Sequence, residues 1–93
     1  ATAHAEDLAR SGRFSHEGSN GSSVGQRVRK QGYKFCFVAE NIAEGQGSLQ
    51  DVLEGWMASP GHRRNILAEQ AVEFGLVRGP DNLWVMVLGR PGC

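Results

Sequence analysis

Two histidines and one acidic residue in this chain have side chains that could form a polar site together. His16, Glu40 and His62 come from three segments that lie far apart along the sequence. Neutral imidazoles suit zinc and other borderline divalent ions, and a carboxylate can either ligate the metal or orient an imidazole. The fold must bring these segments together if they form one site. The segments are Phe14-Ser15-His16, Ala39-Glu40-Asn41-Ile42-Ala43 and Trp56-Met57-Ala58-Ser59-Pro60-Gly61-His62-Arg63.

Glu40 lies in a segment that predicts a β-strand. Residues 33–43 are rich in aromatic and β-branched side chains, which favour strands. Because alternate side chains of a strand point to opposite faces, Glu40 is expected to share a face with Val38 and Ile42. A carboxylate in that apolar company needs a hydrogen-bond or charge partner, since burial without one is costly. Histidine is a candidate partner.

The remaining pattern predicts helices packed around a small antiparallel sheet. Residues 83–88 are apolar on both faces and therefore need cover on both sides of the sheet. We expect an α+β fold, an α-β-α sandwich with helices on both faces. The other predicted elements are a helix over 1–10, helices that start at the capping boxes Ser23/Gln26 and Ser48/Asp51, a short helix over 62–67, and a strand over 72–77 followed by a turn at 79–82.

Length and charge narrow the classes of function. A chain of 93 residues predicts one domain, 1–93, and we expect a monomer. Its formal net charge of zero gives no support for a nucleic-acid partner. No apolar run approaches the roughly 20 residues that span a bilayer, so no transmembrane segment is predicted. Basic side chains cluster between residues 27 and 34, and a solvated helix face explains them more simply than a phosphate site.

Two cysteines, Cys36 and Cys93, lie far apart and form no C-x-x-C motif. A disulfide between them is the favoured prediction, and it would stabilise the fold by about 4 kcal/mol in the chain-entropy model. Such a bond would also imply an oxidising compartment. Two unpaired buried thiols remain the alternative.

The chain resembles the bacterial branch of the CAP superfamily, which joins cysteine-rich secretory proteins, antigen 5 and plant pathogenesis-related proteins. The likeness covers nearly the whole chain in matching order. It implies an exported α-β-α sandwich with a central cavity, lined in many members by two histidines and two glutamates, where a divalent metal can bind. The segments that carry the resemblance are residues 3–9, 14–16, 39–43, 56–67 and 73–76.

Matched residue by residue, the resemblance assigns the two histidines to His16 and His62 and one glutamate to Glu40. The second glutamate falls on Ser59, whose hydroxyl carries no charge to offset a cation. The resemblance thus predicts His16 and His62 as ligands of a divalent metal, with zinc preferred, and Glu40, Ser59 and Asn41 as cavity residues. Alternatively, the two histidines only hydrogen-bond Glu40 and hold loops in place.

The resemblance and the missing leader also predict location. The chain begins at Ala1 in a helical pattern, so we expect a secreted or periplasmic domain whose export signal and first family helix have been removed.

Three functions follow as hypotheses. The first is a non-catalytic module that binds a divalent metal or a small ligand and faces the cell envelope or a host protein. The second is an ester or peptide hydrolase that uses Glu40, His62 and His16. Neither an H-E-x-x-H nor a G-x-S-x-G motif supports that alternative. The third is a structural interaction domain.

Overall fold

Three antiparallel strands form the sheet that positions the candidate site. The computed structural model describes residues 4, 7–8, 15–79 and 82–92. The strands are ordered β1-β3-β2, and the described parts of the predicted first helix, His4, Asp7 and Leu8, are helical. The α+β prediction is therefore confirmed. The elements are α1 (Val24–Lys30), β1 (Phe35–Glu44), α2 (Leu49–Ala58), α3 (Pro60–Ile66), β2 (Glu73–Gly79) and β3 (Leu83–Pro91).

The central strand β3 carries the core, as its two apolar faces predict. It pairs with β1 on one side and β2 on the other. On one face, Trp84, Met86 and Leu88 pack with Val52 and Trp56 of α2. Among the described residues, the other face carries a smaller buried cluster, and its neighbouring valines are only partly buried. The second face therefore has room for a cavity.

Local signals set where the helices begin. The Ser23–Gln26 capping box is present in both directions, with bonds of 2.8 and 3.2 Å, and α1 starts directly after it. None of the residues of α1 is fully buried. The helix α3 starts at Pro60 rather than at His62, because proline is favoured at the first helical position, where its missing N–H costs nothing. Within the described ranges, no helix has the length and apolarity that a membrane crossing requires.

A β-bulge at Cys36 shifts which side chains of β1 point to each face of the sheet. Phe35 pairs with Pro91, but Phe37 pairs with Arg90, so β1 contains one extra residue at that point. Beyond the bulge the register is regular, and Glu40 and Asn41 lie opposite consecutive residues of β3. Their side chains therefore point to opposite faces of the sheet.

The predicted disulfide lies partly outside the described residues, because Cys93 is not among them. Cys36 is exposed and is not a free thiol. The end of β3 lies beside the start of β1, since Gly92 donates to the Lys34 carbonyl over 3.3 Å. The pairing itself stays a prediction.

Tyr33 packs against Gly89 so closely that a Cβ at position 89 would force the tyrosine ring to shift. A Cβ at position 89 would lie 2.7 Å from Tyr33 Oη and 2.9 Å from Cε2. The ring is held in place because its hydroxyl donates to Glu73 Oε1 over 2.8 Å. We expect Gly89→Ala to lower the free energy of unfolding by about 1–3 kcal/mol in urea denaturation.

Gly75→Ala is the matched control, since a Cβ there meets no atom within 4 Å. Equal losses in the two variants would show that the Tyr33 contact is not the cause.

Candidate functional site

Glu40 is the buried charge around which the site forms. Its side chain is 2 % exposed, and both carboxylate oxygens have partners. His16 Nδ1 donates to Oε1 over 2.9 Å, and Arg27 Nη2 donates to Oε2 over 2.8 Å. The expectation that an acid at this strand position needs a partner is thus met by one imidazole and one guanidinium.

Arg27 corrects one prediction from the sequence. The basic cluster was assigned to a solvated helix face, but the Arg27 side chain is only 17 % exposed. Besides Glu40, it donates to the Ser22 carbonyl over 2.8 Å. The physical reason is that α1 lies against the face of the sheet that carries Glu40, where a buried anion needs a cation. Arg29, by contrast, lies over the Phe35 ring at 4.6 Å.

His16 is hydrogen-bonded to Glu40 but remains open to solvent. Its side chain is 57 % exposed, and the carboxylate accepts the Nδ1 proton. In a neutral ring this bond places the proton on Nδ1, so that Nε2 is the nitrogen free to accept or to ligate. This hydrogen bond is the contact that an orienting role of Glu40 requires, and the role itself stays a prediction.

His4 is a second imidazole near Glu40 that sequence reasoning left out of the site. It is 2 % exposed, and its Nε2 lies 3.8 Å from Glu40 Oε1. Nε2 donates to the Ser15 carbonyl over 2.8 Å, which fixes the backbone just before His16. Burial lowers the pKa of His4, and the Glu40 carboxylate only partly opposes this effect. The lowered pKa favours the neutral ring, with its proton on Nε2 and a lone pair on Nδ1.

His62 lies among other partners. Its Nδ1 is 2.9 Å from Ser59 Oγ, and its ring centroid is 6.5 Å from that of Trp56. Its carbonyl accepts a bond of 3.1 Å from Asn41 Nδ2. Asn65, which the sequence did not single out, donates to Asn41 Oδ1 over 2.9 Å and so ties α3 to β1.

The structure thus forms two pairs, His16 with Glu40 and His62 with Ser59. Among the described residues, no hydrogen bond or ion pair joins His62 to Glu40 or to His16. The described residues also contain no group of three or more His, Cys, Asp or Glu side chains that could hold a metal ion. The assignment of His16 and His62 as metal ligands stays a prediction.

A cavity of about 750 Å³ lies between α1 and the less covered face of the sheet. This volume is within the range of about 300–1,000 Å³ that is typical of small-molecule sites. Its wall includes His4, Arg27, Lys30, Glu40 and Val87, whereas neither of the two predicted metal-ligating histidines is among its described lining residues. The arrangement can hold a small molecule against the buried Glu40–Arg27 pair.

A family model and two curated bacterial proteins match most of this chain. Residues 1–87 match the model of the cysteine-rich secretory protein family, CAP. A Bacillus subtilis protein, uncharacterized protein YkwD, is 32 % identical over 76 residues, or 82 % of this chain and 30 % of its own length. Uncharacterized membrane protein YlbC of the same organism is 30 % identical over 73 residues, or 78 % of this chain and 21 % of its own length. The chain therefore spans less than a third of the length of each of these relatives.

Solved structures share the fold. An extracellular protein with an SCP domain from Bacillus anthracis has a TM-score of 0.91 and 30 % identity, covering 97 % of this chain and 30 % of that chain. An outer surface protein from Borrelia burgdorferi has a TM-score of 0.84 and 23 % identity, covering 97 % of this chain and 69 % of that chain. The second likeness concerns the fold alone.

The Arg27–Glu40 pair predicts a large effect of removing the guanidinium. Arg27→Met keeps most of the apolar stem but leaves one oxygen of a buried carboxylate without its cation. We expect a loss of about 3 kcal/mol in the free energy of unfolding, measured in urea; this is the lower end for a buried pair, because Arg27 keeps some solvent contact.

Adding Glu40→Gln to Arg27→Met should recover part of the loss, since the unpaired charge is then gone. Arg63→Met, at an exposed arginine of α3, is the control and should change stability little. A loss as large as that of Arg27→Met would contradict the ion-pair explanation.

Proposed function

The chain belongs to the cysteine-rich secretory protein family, CAP, and on that premise we propose that it is an extracellular, non-catalytic ligand-binding domain. The observation that carries the proposal is the cavity of about 750 Å³ whose wall contains the buried Glu40–Arg27 pair. The extracellular Bacillus anthracis protein that shares the fold at 30 % identity supports export. The ligand is a small polar organic molecule that binds between α1 and the sheet.

Charge favours an organic ligand over a metal ion at Glu40 itself. Both oxygens of this carboxylate are already engaged, by His16 and by Arg27. A cation placed there would meet the guanidinium at close range, and like charges repel. A polar organic molecule can instead form hydrogen bonds with the uncharged groups of the wall.

Geometry favours binding over hydrolysis. A general base must reach the proton that it abstracts from a substrate held in a cleft. His16, the imidazole hydrogen-bonded to Glu40, is not among the described residues that line the cavity. The Ser59–His62 pair also lies outside that lining, and within the described contacts no carboxylate orients the His62 ring.

Thermal unfolding with a panel of sugars, organic acids, amino acids and nucleotides tests the proposal. We expect at least one compound to raise Tm, because a ligand that binds only the folded state stabilises it by about 2.7 kcal/mol at 100 times Kd. Val28→Trp should abolish the shift, since Val28 lines the cavity. Leu49→Trp, at an exposed position of α2, should retain it. If no compound raises Tm, the proposal is wrong.

Zinc binding by His16 and His62 is the second candidate function. The observation that favours it is that Nδ1 of each ring is hydrogen-bonded to an oxygen, of Glu40 in one case and of Ser59 in the other. Where Nδ1 is the donor, as His16 Nδ1 is toward the carboxylate, such a bond orients the ring so that Nε2 is free to ligate. These two imidazoles would hold the ion, which would offer its open positions to a ligand as a Lewis acid.

Isothermal titration with zinc and with magnesium separates this candidate from the first. We expect heat of binding with zinc that is lost in both His16→Ala and His62→Ala. Magnesium should give none, because it prefers oxygen ligands. Zinc binding that survives either substitution would show that the two rings do not share an ion.

A further inference from the structure

The cavity wall contains one buried acceptor without a donor. His4 lines the cavity, and its side chain is 2 % exposed. Its Nε2–H donates a hydrogen bond to the Ser15 carbonyl. The lone pair is therefore on Nδ1, and this atom has no hydrogen-bond partner. Buried acceptors are normally satisfied. A ligand with a hydroxyl or amide N–H would supply the missing donor.

The same wall contains two anions, Asp7 and Glu40, and two cations, of which one forms no ion pair within the described residues. The charge of Arg27 is balanced by Glu40, and the Asp7 carboxylate accepts bonds from the backbone and hydroxyl of Ser19. Lys30 also lines the cavity, and within the described residues it forms no ion pair. Its ammonium group can pair with a carboxylate or a similar anion of a ligand.

The rest of the lining combines hydrogen-bonding groups with a small apolar area. Val24, Val28 and Val87 present methyl groups to the cavity, which suit the C–H face of a sugar ring. Uncharged polar side chains surround them and can bond to hydroxyls. These are Ser19, Asn20, Ser22, Gln26 and Gln31.

From these three features, and resting on the proposed ligand-binding function, we propose that the cavity binds an acidic saccharide, a short oligomer of carboxylated sugars. A sugar hydroxyl donates to His4 Nδ1, and a carboxylate pairs with Lys30. The C–H faces of the rings lie on the valines. The volume of about 750 Å³ has room for more than one sugar ring.

Isothermal titration with tetragalacturonate and with its methyl ester tests this inference, because esterification removes the charge and little else. We expect the acid to bind about fivefold more tightly than the ester, which is the effect of one partly exposed ion pair. Lys30→Gln should abolish this difference. Lys34→Gln, at an exposed lysine outside the cavity lining, should retain it.

The ¹⁵N chemical shift of His4 Nδ1 reports the hydrogen bond from the sugar hydroxyl. It is measured in the unmodified chain, so this test does not require that a substituted protein folds. It should move on saturation with the acid, because Nδ1 then accepts a hydrogen bond. An unchanged shift in the saturated complex would overturn the assigned contact.

Equal binding of acid and ester, with no effect of Lys30→Gln, would overturn the choice of an acidic ligand. If neither form binds but another compound raises Tm in the unmodified chain and not in Val28→Trp, the saccharide inference fails and the ligand-binding function stands. If no compound binds at all, both fail.

Discussion

The buried carboxylate of Glu40 is the constraint on which the site depends. A charge inside a small domain is tolerated only when other groups compensate it, and here the compensation comes from two separate segments. Arg27 reaches it from α1, and His16 reaches it from the segment before that helix. One strand residue thereby fixes the positions of two elements that contribute little to the apolar core. The cavity exists because those elements are held beside the sheet without packing fully onto it.

The neighbouring residue, Asn41, has the corresponding role on the opposite face. Its side chain donates to the His62 carbonyl and accepts from Asn65, so it joins α3 to the same strand. Two consecutive residues of β1 thus organise the two sides of the molecule. The central strand β3 supports both, since it pairs with β1 along most of its length. The two histidines that the sequence grouped together are consequently anchored to different polar partners.

The sequence predicts the parts of this structure that depend on local patterns. The Ser23–Gln26 box marks the start of α1, the doubly apolar β3 requires a covered sheet, and the apolar neighbours of Glu40 imply a buried acid with a partner. It does not predict that Arg27 is that partner. The local sequence does not distinguish this arginine from its basic neighbours, and only the packing of α1 against the sheet places it beside Glu40. The bulge at Cys36 and the burial of His4 likewise depend on pairing and packing between distant segments. The comparisons supply the family, and neither they nor the sequence supply a ligand.

The helix α1 has no fully buried residue, whereas α2 contributes Val52 and Trp56 to the core. The helices α1 and α2 are therefore attached to the sheet by different kinds of interaction. Separating α2 from the sheet would expose apolar surface and unfold the domain, but moving α1 aside would mainly exchange polar contacts for contacts with water. If α1 moved aside, the apolar cluster between α2 and the sheet would stay closed, so access to the cavity would require no global unfolding.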